Sequence, residues 1–186
     1  MLTEIKHLTF EELEAGLDHI RQSPKNDGMV EMIVRRPEVE KREVLAEGML
    51  NTTEGLVGDN WKVRGSASTE DGSAHPEMQL NIMNARTIAL LAQDRDRWQL
   101  AGDELFIDMD LSNENLPAGT RLKIGEAVIE VTPAPHTGCI KFAARFGTDA
   151  TKFVNSPAGK ELHLRGINAK VIQGGKVKVG DVVSKV

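Results

Sequence analysis

The chain has 186 residues, enough for one domain with a proper core. Hydrophobic residues make up 40% and charged residues 27%, a globular balance that excludes disorder and collagen-like repeats. A formal net charge of −5, with 4% aromatics and no basic face interleaved with them, excludes nucleic acid or an anionic membrane as the main partner.

The first sixteen residues, MLTEIKHLTFEELEAG, have neither a basic start nor an apolar centre, so no signal peptide is expected. No run of about 18 apolar residues follows, so no transmembrane helix is expected either. Cys139 is the only cysteine, which rules out an internal disulfide framework of the secreted kind. A cytoplasmic location is the expectation.

Residues 9–22 read as one amphipathic helix. Phe10, Leu13, Leu17 and Ile20 form its apolar stripe, and Thr9 with Glu12 has capping-box spacing. Ser23-Pro24-Lys25-Asn26-Asp27-Gly28 breaks it. Residues 29–35 and 43–50 are β-branched runs that predict strands. The polar stretch 51–77 predicts a long irregular loop. Residues 78–83 predict a strand and 84–93 a short helix. Residues 105–109 predict a brief strand before the turn formers Ser112-Asn113-Glu114-Asn115-Leu116-Pro117.

The strongest β signal is 121–132, where Gly125-Glu126 suits a two-residue hairpin loop. Residues 140–146 predict a short helix. Residues 170–173 and 176–179 flank Gly174-Gly175 and read as a second hairpin, and 181–186 as a last strand. Residues 1–28 thus read as an N-terminal helix and turn, and 29–186 as the main domain. Many short strands with tight turns and few helices predict a mainly β fold closed into a barrel.

The most unusual segment is Thr132-Pro133-Ala134-Pro135-His136-Thr137-Gly138-Cys139. Its prolines stiffen the exit from the preceding strand, and Gly138 permits a close turn. Cys139 then falls at the start of the helix over 140–146. Exposed N–H groups there favour a thiolate, and His136, Lys141 and Arg145 add positive character nearby. A thiolate is what sulfur transfer or soft-metal ligation requires. The alternative is a buried cysteine acting as a small hydrophobe. His136-x-x-Cys139 also has zinc-ligand spacing, but a structural site needs a second ligand pair, which only scattered histidines such as His75 and His163 could supply. Gly58-Asp59-Asn60-Trp61 reads as an acid-bearing turn. Asp103, Asp108 and Asp110 offer metal-ligand chemistry, but their alternation with apolar residues is also ordinary strand patterning, and Asp108 and Asp110 read as solvated strand residues.

Taken in order, these pieces resemble the MOSC family, the domain found at the C-terminus of molybdenum-cofactor sulfurases and as stand-alone proteins. The resemblance runs from about Met29 to Val186. It rests on Gly58-Asp59-Asn60-Trp61, Gln79-Leu80-Asn81, Ala101-Gly102-Asp103 and Glu114-Asn115-Leu116. It continues through Gly125, Cys139 behind Pro133 and Pro135, Arg165-Gly166 and Gly180-Asp181. Many members carry Pro-Arg-x-Pro-Cys where this chain has Pro135-His136-Thr137-Gly138-Cys139, and a basic residue where it has Asn60.

The resemblance implies a barrel of the pyruvate-kinase-barrel type and a cysteine that carries sulfur or ligates molybdenum. The implied cofactor is the molybdenum cofactor, molybdopterin. The implied partner is a sulfur donor such as a cysteine desulfurase, or an electron-donor protein for reduction of N-hydroxylated compounds. Pyridoxal phosphate belongs to the desulfurase domain of the larger sulfurases, which this chain is too short to contain. On this reading Cys139 is catalytic or the metal ligand, and His136 adjusts protonation. Thr137, Gly138, Asn113, Asn115 and Asp59 line the ligand pocket. Lys62, Arg64, Arg145 and Arg165 supply the positive charge that the missing arginine would have given. The competing reading is a non-catalytic small-molecule or partner-binding barrel with a buried structural cysteine. The sequence leaves the oligomeric state open.

Overall fold

The computed structural model describes residues 5–186. Residues 1–4, part of the segment read above for a leader, lie outside the described residues.

The expected first helix is two: α1 (Phe10–Ala15) and α2 (Leu17–Arg21). The Thr9–Glu12 capping box forms as the spacing predicts. Gly16 ends the first helix and begins the second, packed so closely that a Cβ there would lie 2.7 Å from Leu90. The remaining elements to the middle of the chain are β1 (Gly28–Arg35), β2 (Glu43–Leu45), β3 (Glu47–Asn51), β4 (Gly55–Leu56) and α3 (Trp61–Arg64). After them come β5 (Leu80–Asn84), α4 (Ala85–Ala92) and β6 (Leu105–Asp108). The second half holds β7 (Arg121–Ile124), β8 (Ala127–Val131), α5 (Ile140–Phe146), α6 (Thr148–Val154) and α7 (Pro157–Glu161). The chain closes with β9 (Ile167–Gln173), β10 (Gly175–Lys178) and β11 (Val182–Lys185).

Seven strands, in the order β11-β7-β8-β9-β5-β6-β1, close into a barrel because β1 also pairs with β11. Gly28 and Met29 stand opposite Val183 and Val182 in that closing pair. The mainly β barrel expected from the sequence is therefore the architecture. β2 extends the sheet beyond β1, and β10-β3-β4 form a separate small sheet.

Two pairings differ from the sequence reading. The stretch 43–50 is split, with β2 on β1 and β3 in the small sheet. The proposed hairpin across Gly174-Gly175 does not form. β9 already pairs with β8 on one edge and β5 on the other, so it has no edge left for β10, which turns away to pair with β3. The β7–β8 hairpin does form, with Gly125 at φ 55°, a conformation that favours glycine.

The barrel interior is filled by aliphatic side chains such as Val30, Ile33, Ile82, Leu105, Ile107 and Ile129. A second apolar layer lies outside, where Met32, Val34, Met83 and Phe106 meet Ile88 and Phe146 of the helices. Strands β1, β5 and β6 are thus covered on both faces, which is why Leu105-Phe106-Ile107 runs apolar without alternation. β5 and β6 are parallel, so the link between them has to cross over, and α4 makes that crossover. The Asn84 side chain accepts the Thr87 N–H at 2.9 Å to start α4. α6 and α7, for which the sequence reading gives no element, pack with α5 beside the barrel mouth.

Candidate functional site

The segment from Thr132 to Cys139 leaves β8 and crosses the mouth of the barrel. Proline has no N–H to give, so the segment is held by its carbonyls. Asn168 of β9 donates to the Ala134 and Pro135 carbonyls at 3.0 and 3.2 Å, and is itself paired with Asn81 of β5. Further on, Asn155 grips the Gly138 peptide from both sides. Its Oδ1 accepts the Gly138 N–H at 3.0 Å and its Nδ2 donates to the Gly138 carbonyl at 3.1 Å. A Cβ on Gly138 would sit 3.0 Å from the Val154 side chain, so a larger residue here fits only if that neighbour gives by a few tenths of an ångström.

Cys139 follows as the residue capping α5, with extended backbone and no side-chain capping bond. Phe142 and Phe146 bury the inner face of α5, and the Arg165 guanidinium stacks 4.8 Å from the Phe142 ring. The cysteine itself is exposed. That overturns the reading of a buried structural cysteine: the anchored turn and the buried phenylalanines take the core positions and leave the thiol in solvent.

Behind the turn lies a buried charged floor. His136 Nε2 is 2.9 Å from Asp103 Oδ1, and Arg165 donates to Asp103 Oδ2 at 2.7 Å. The Asp103 side chain is fully buried. Burial alone would raise its carboxyl, but Arg165 and His136 outweigh that and hold it below the usual carboxylate range. For His136, burial and then the Arg165 charge push the ring below its ordinary value, against the pull of Asp103. The neutral ring donates Nε2–H to the carboxylate and leaves Nδ1 as an acceptor.

The neighbouring Glu104 holds a second arginine. Arg36 contacts Glu104, donates to both Asp59 oxygens at 3.0 and 2.8 Å, and reaches the Gly102 carbonyl at 2.9 Å. Asp59 is therefore an anchor for Arg36, and it also caps Trp61 through its N–H at 3.0 Å.

Two cavities flank His136 and Arg165, and both residues line both of them. One, of about 270 Å³, carries Cys139 on its wall and is basic, with Arg36, Arg42, Arg64, Lys141 and Arg145 around it. Arg145 pairs with Glu40 at 3.0 Å, and Lys141 lies 3.7 Å from the same carboxylate. Arg42 and Arg64 have no carboxylate partner among the described residues. Desolvation, then Arg145 and Arg36 for Arg42, and Arg36 for Arg64, push both guanidiniums below their ordinary value. Two buried polar atoms beside this cleft, Asn60 Oδ1 and Arg165 Nε, have no hydrogen-bond partner. A soft thiol, unneutralised guanidiniums and the unpaired Arg165 Nε–H suit an anionic ligand carrying a soft metal, while Asn60 Oδ1 calls for a donor on that ligand.

The other cavity, about 400 Å³, lies on the far side of the proline segment. Leu116, Val131, Pro133 and Ile167 line it together with Asn113, Thr137, Asn155, Lys160, His163 and Asn168. Although larger, it contains neither the thiol nor the free arginines, so chemistry singles out the basic cleft.

Of the residues singled out in the sequence, Cys139, His136, Arg64, Arg145 and Arg165 come together in that cleft. Thr137 and Asn113 face the other cavity. Gly138 shapes the turn. Asn115 is buried and donates to the Lys25 and Asp110 carbonyls at 2.9 and 2.7 Å, which makes it a loop anchor apart from both cavities. Lys62 is exposed on α3. Asp108 pairs with Arg86 at 2.9 Å on the outer surface. Among the described residues no group of three His, Cys, Asp or Glu is placed to hold a metal, and no helix is long and apolar enough to cross a membrane. Sequence reasoning missed Arg36, Arg42, Glu104, Asn155 and Asn168. The adjacent acids Asp103-Glu104 before an apolar strand were the available signal, because two acids entering a core need two cations.

A family model described as MOSC domain matches residues 69–184. No curated protein matches the chain. Among solved structures, YiiM from Escherichia coli is 21% identical, with a TM-score of 0.54 over 85% of this chain and 69% of that one. The YUAD protein from Bacillus subtilis is 14% identical, with a TM-score of 0.60 over 84% of this chain and 93% of that one. A structure described as a hypothetical protein is 23% identical, with a TM-score of 0.58 over 90% and 70% of the two chains. These likenesses show a shared fold.

Proposed function

This chain belongs to the MOSC domain family, whose model spans residues 69–184, and from that premise we propose that it handles sulfur or the molybdenum cofactor with Cys139 as its working group. The observation that carries the reading is an exposed thiol on the wall of a basic cleft. Supporting it are Arg42 and Arg64 there, which have no carboxylate partner among the described residues.

In the carrier role, the Cys139 thiolate attacks the terminal sulfur of a donor persulfide. A new S–S bond forms at Cys139, the donor's S–S bond breaks, and the donor leaves as a thiolate. A cysteine desulfurase is the matching donor. The acceptor reverses the step by attacking the outer sulfur on Cys139. In the ligand role, Cys139 would hold molybdenum, and Arg42, Arg64 and Arg145 would hold the pterin phosphate. The bound cofactor supplies two-electron oxygen-atom chemistry, as in reduction of N-hydroxylated compounds, with electrons from a partner protein.

In both roles the chain's own residues do the same work. Asn155 and Asn168 fix the turn that presents the thiol. Asp103 fixes the His136 ring so that Nδ1 is the proton acceptor on the cleft wall. The arginines attract and orient an anion.

The test is purification of wild type and Cys139→Ser from a molybdenum-replete host, with bound molybdenum and intact mass measured on both. Wild type is expected to hold molybdenum or to gain the mass of one sulfur atom, and Cys139→Ser to show neither. Equal loading of the serine variant would overturn the proposal.

A further inference from the structure

The most exposed large apolar side chains among the described residues are Val63 at 90%, Ile140 at 89%, Val186 at 70% and Val39 at 67%. Val186 is the terminal residue. The other three lie at, or next in the chain to, residues that line one cleft. Val39 lines the basic cleft, Val63 is next to its Arg64, and Ile140 is next to its Cys139. They come from three separate segments: the link between β1 and β2, helix α3, and the first position of α5. Two of these segments turn another side chain inward, Trp61 on α3 and Phe142 on α5. Amphipathic packing therefore does not force the exposed residues outward as leftovers of a misplaced face.

Positive charge gathers at the same rim. Lys62 and Arg64 flank Val63 and have no carboxylate partner among the described residues. Lys141, after Ile140, shares Glu40 with Arg145, and Val39 stands between Glu38 and Glu40. On a chain with a formal net charge of −5, the cations still outnumber the acids here. Exposed aliphatic residues beside such cations mark an interaction surface. The matching face is aliphatic and acidic. A bilayer fits less well, because the three side chains lie on separate segments rather than forming one amphipathic stripe with aromatic anchors.

We propose that the rim formed by Val39, Val63 and Ile140 is the docking surface for a partner protein that presents acidic and aliphatic side chains, and that docking brings the partner's reactive group to Cys139. The second clause rests on the assignment of Cys139 above; the first does not.

The probe is a fluorescent peptide of alternating Glu and Leu, with a Lys and Leu peptide as its control, read by anisotropy. Wild type is expected to bind the acidic peptide, more weakly as salt rises, and Val63→Ser/Ile140→Ser to bind it at least tenfold more weakly at an unchanged melting temperature. Val44→Ser, an exposed valine on β2 away from the cleft, is expected to bind like wild type. No binding by wild type, equal binding by the double variant, or equal binding of the basic peptide would overturn the proposal. Two further results would also overturn it. One is tight association with phosphatidylserine vesicles in place of peptide binding. The other is a wild-type dimer, seen by sedimentation, that the double variant abolishes. Cys139→Ser is expected to bind the peptide normally, so failure of sulfur or molybdenum loading and failure of docking are read separately.

Discussion

Asp103 Oδ1 lies 2.9 Å from His136 Nε2 while its other oxygen takes Arg165 at 2.7 Å, so one buried carboxylate fixes both a ring and a guanidinium beside the cleft. Removing its charge leaves Arg165, only 9% exposed at its side chain, without a counterion. Asp103→Asn is expected to cost about 3–5 kcal/mol, the usual effect of breaking a buried pair from one side. Urea unfolding measures it; a loss below about 1 kcal/mol would reduce the pair to the standing of a surface bridge.

The depressed His136 ring gives stability a defined pH dependence. Its ordinary value is 6.5, and the folded value is lower. Between the two, the unfolded chain binds the proton and the folded one does not. The stabilisation is therefore full above 6.5 and is lost as the pH falls through the folded value. The check is the stability difference between wild type and His136→Gln at pH 7, 6 and 5, which is expected to shrink on acidification. A difference that stays constant or grows contradicts the assignment.

Arg42 and Arg64 are the cations that the fold leaves unneutralised in the cleft. Inorganic phosphate is expected to raise the melting temperature of wild type. In Arg42→Gln/Arg64→Gln that binding weakens by about tenfold, or ~1.4 kcal/mol. Without phosphate, the double variant is expected to be no less stable than wild type, because both guanidiniums are held below their ordinary value by desolvation and like charge. Loss of stability with phosphate binding intact would place these residues in the scaffold instead.

Cys139 is exposed in the folded chain. Iodoacetamide is expected to label it to completion without denaturant, at a rate within about tenfold of the unfolded protein. Labelling only after unfolding would return the thiol to the core.

Asn155 satisfies both polar groups of the Gly138 peptide. Asn155→Ala leaves them half-buried without partners, at about 1–3 kcal/mol. It is also expected to broaden the Cys139 labelling kinetics into more than one phase, since the turn loses its clamp. Single-phase kinetics at the wild-type rate would show the prolines alone hold the turn.

How much of this was legible follows from the range of the forces involved. Local patterns spoke clearly: the Thr9–Glu12 capping box, the Gly125 hairpin and the helix over 140–146 all form where their residues say. The false hairpin at Gly174-Gly175 fails because edge availability is a property of the whole barrel, and no window around those glycines reports that β9 is occupied on both sides. The site divides the same way. Cys139 and His136 stand out by their proline frame, whereas Arg36 and Arg42 are ordinary residues in sequence. They acquire meaning only when β1 and its following loop reach the barrel mouth. Asn113 and Asn115 look alike in the chain, yet one reaches a cavity and the other anchors a loop.

Barrel closure sets a constraint of timing. The seam joins β1 to β11, the earliest and latest strands of the barrel, so during synthesis β1 has to wait on the ribosome side of folding until nearly the whole chain has emerged. Contacts of such long sequence separation form slowly. Until they do, β1 and β7 both offer open edges that can recruit other chains. Any nascent chain caught before closure is therefore aggregation-prone at those two edges.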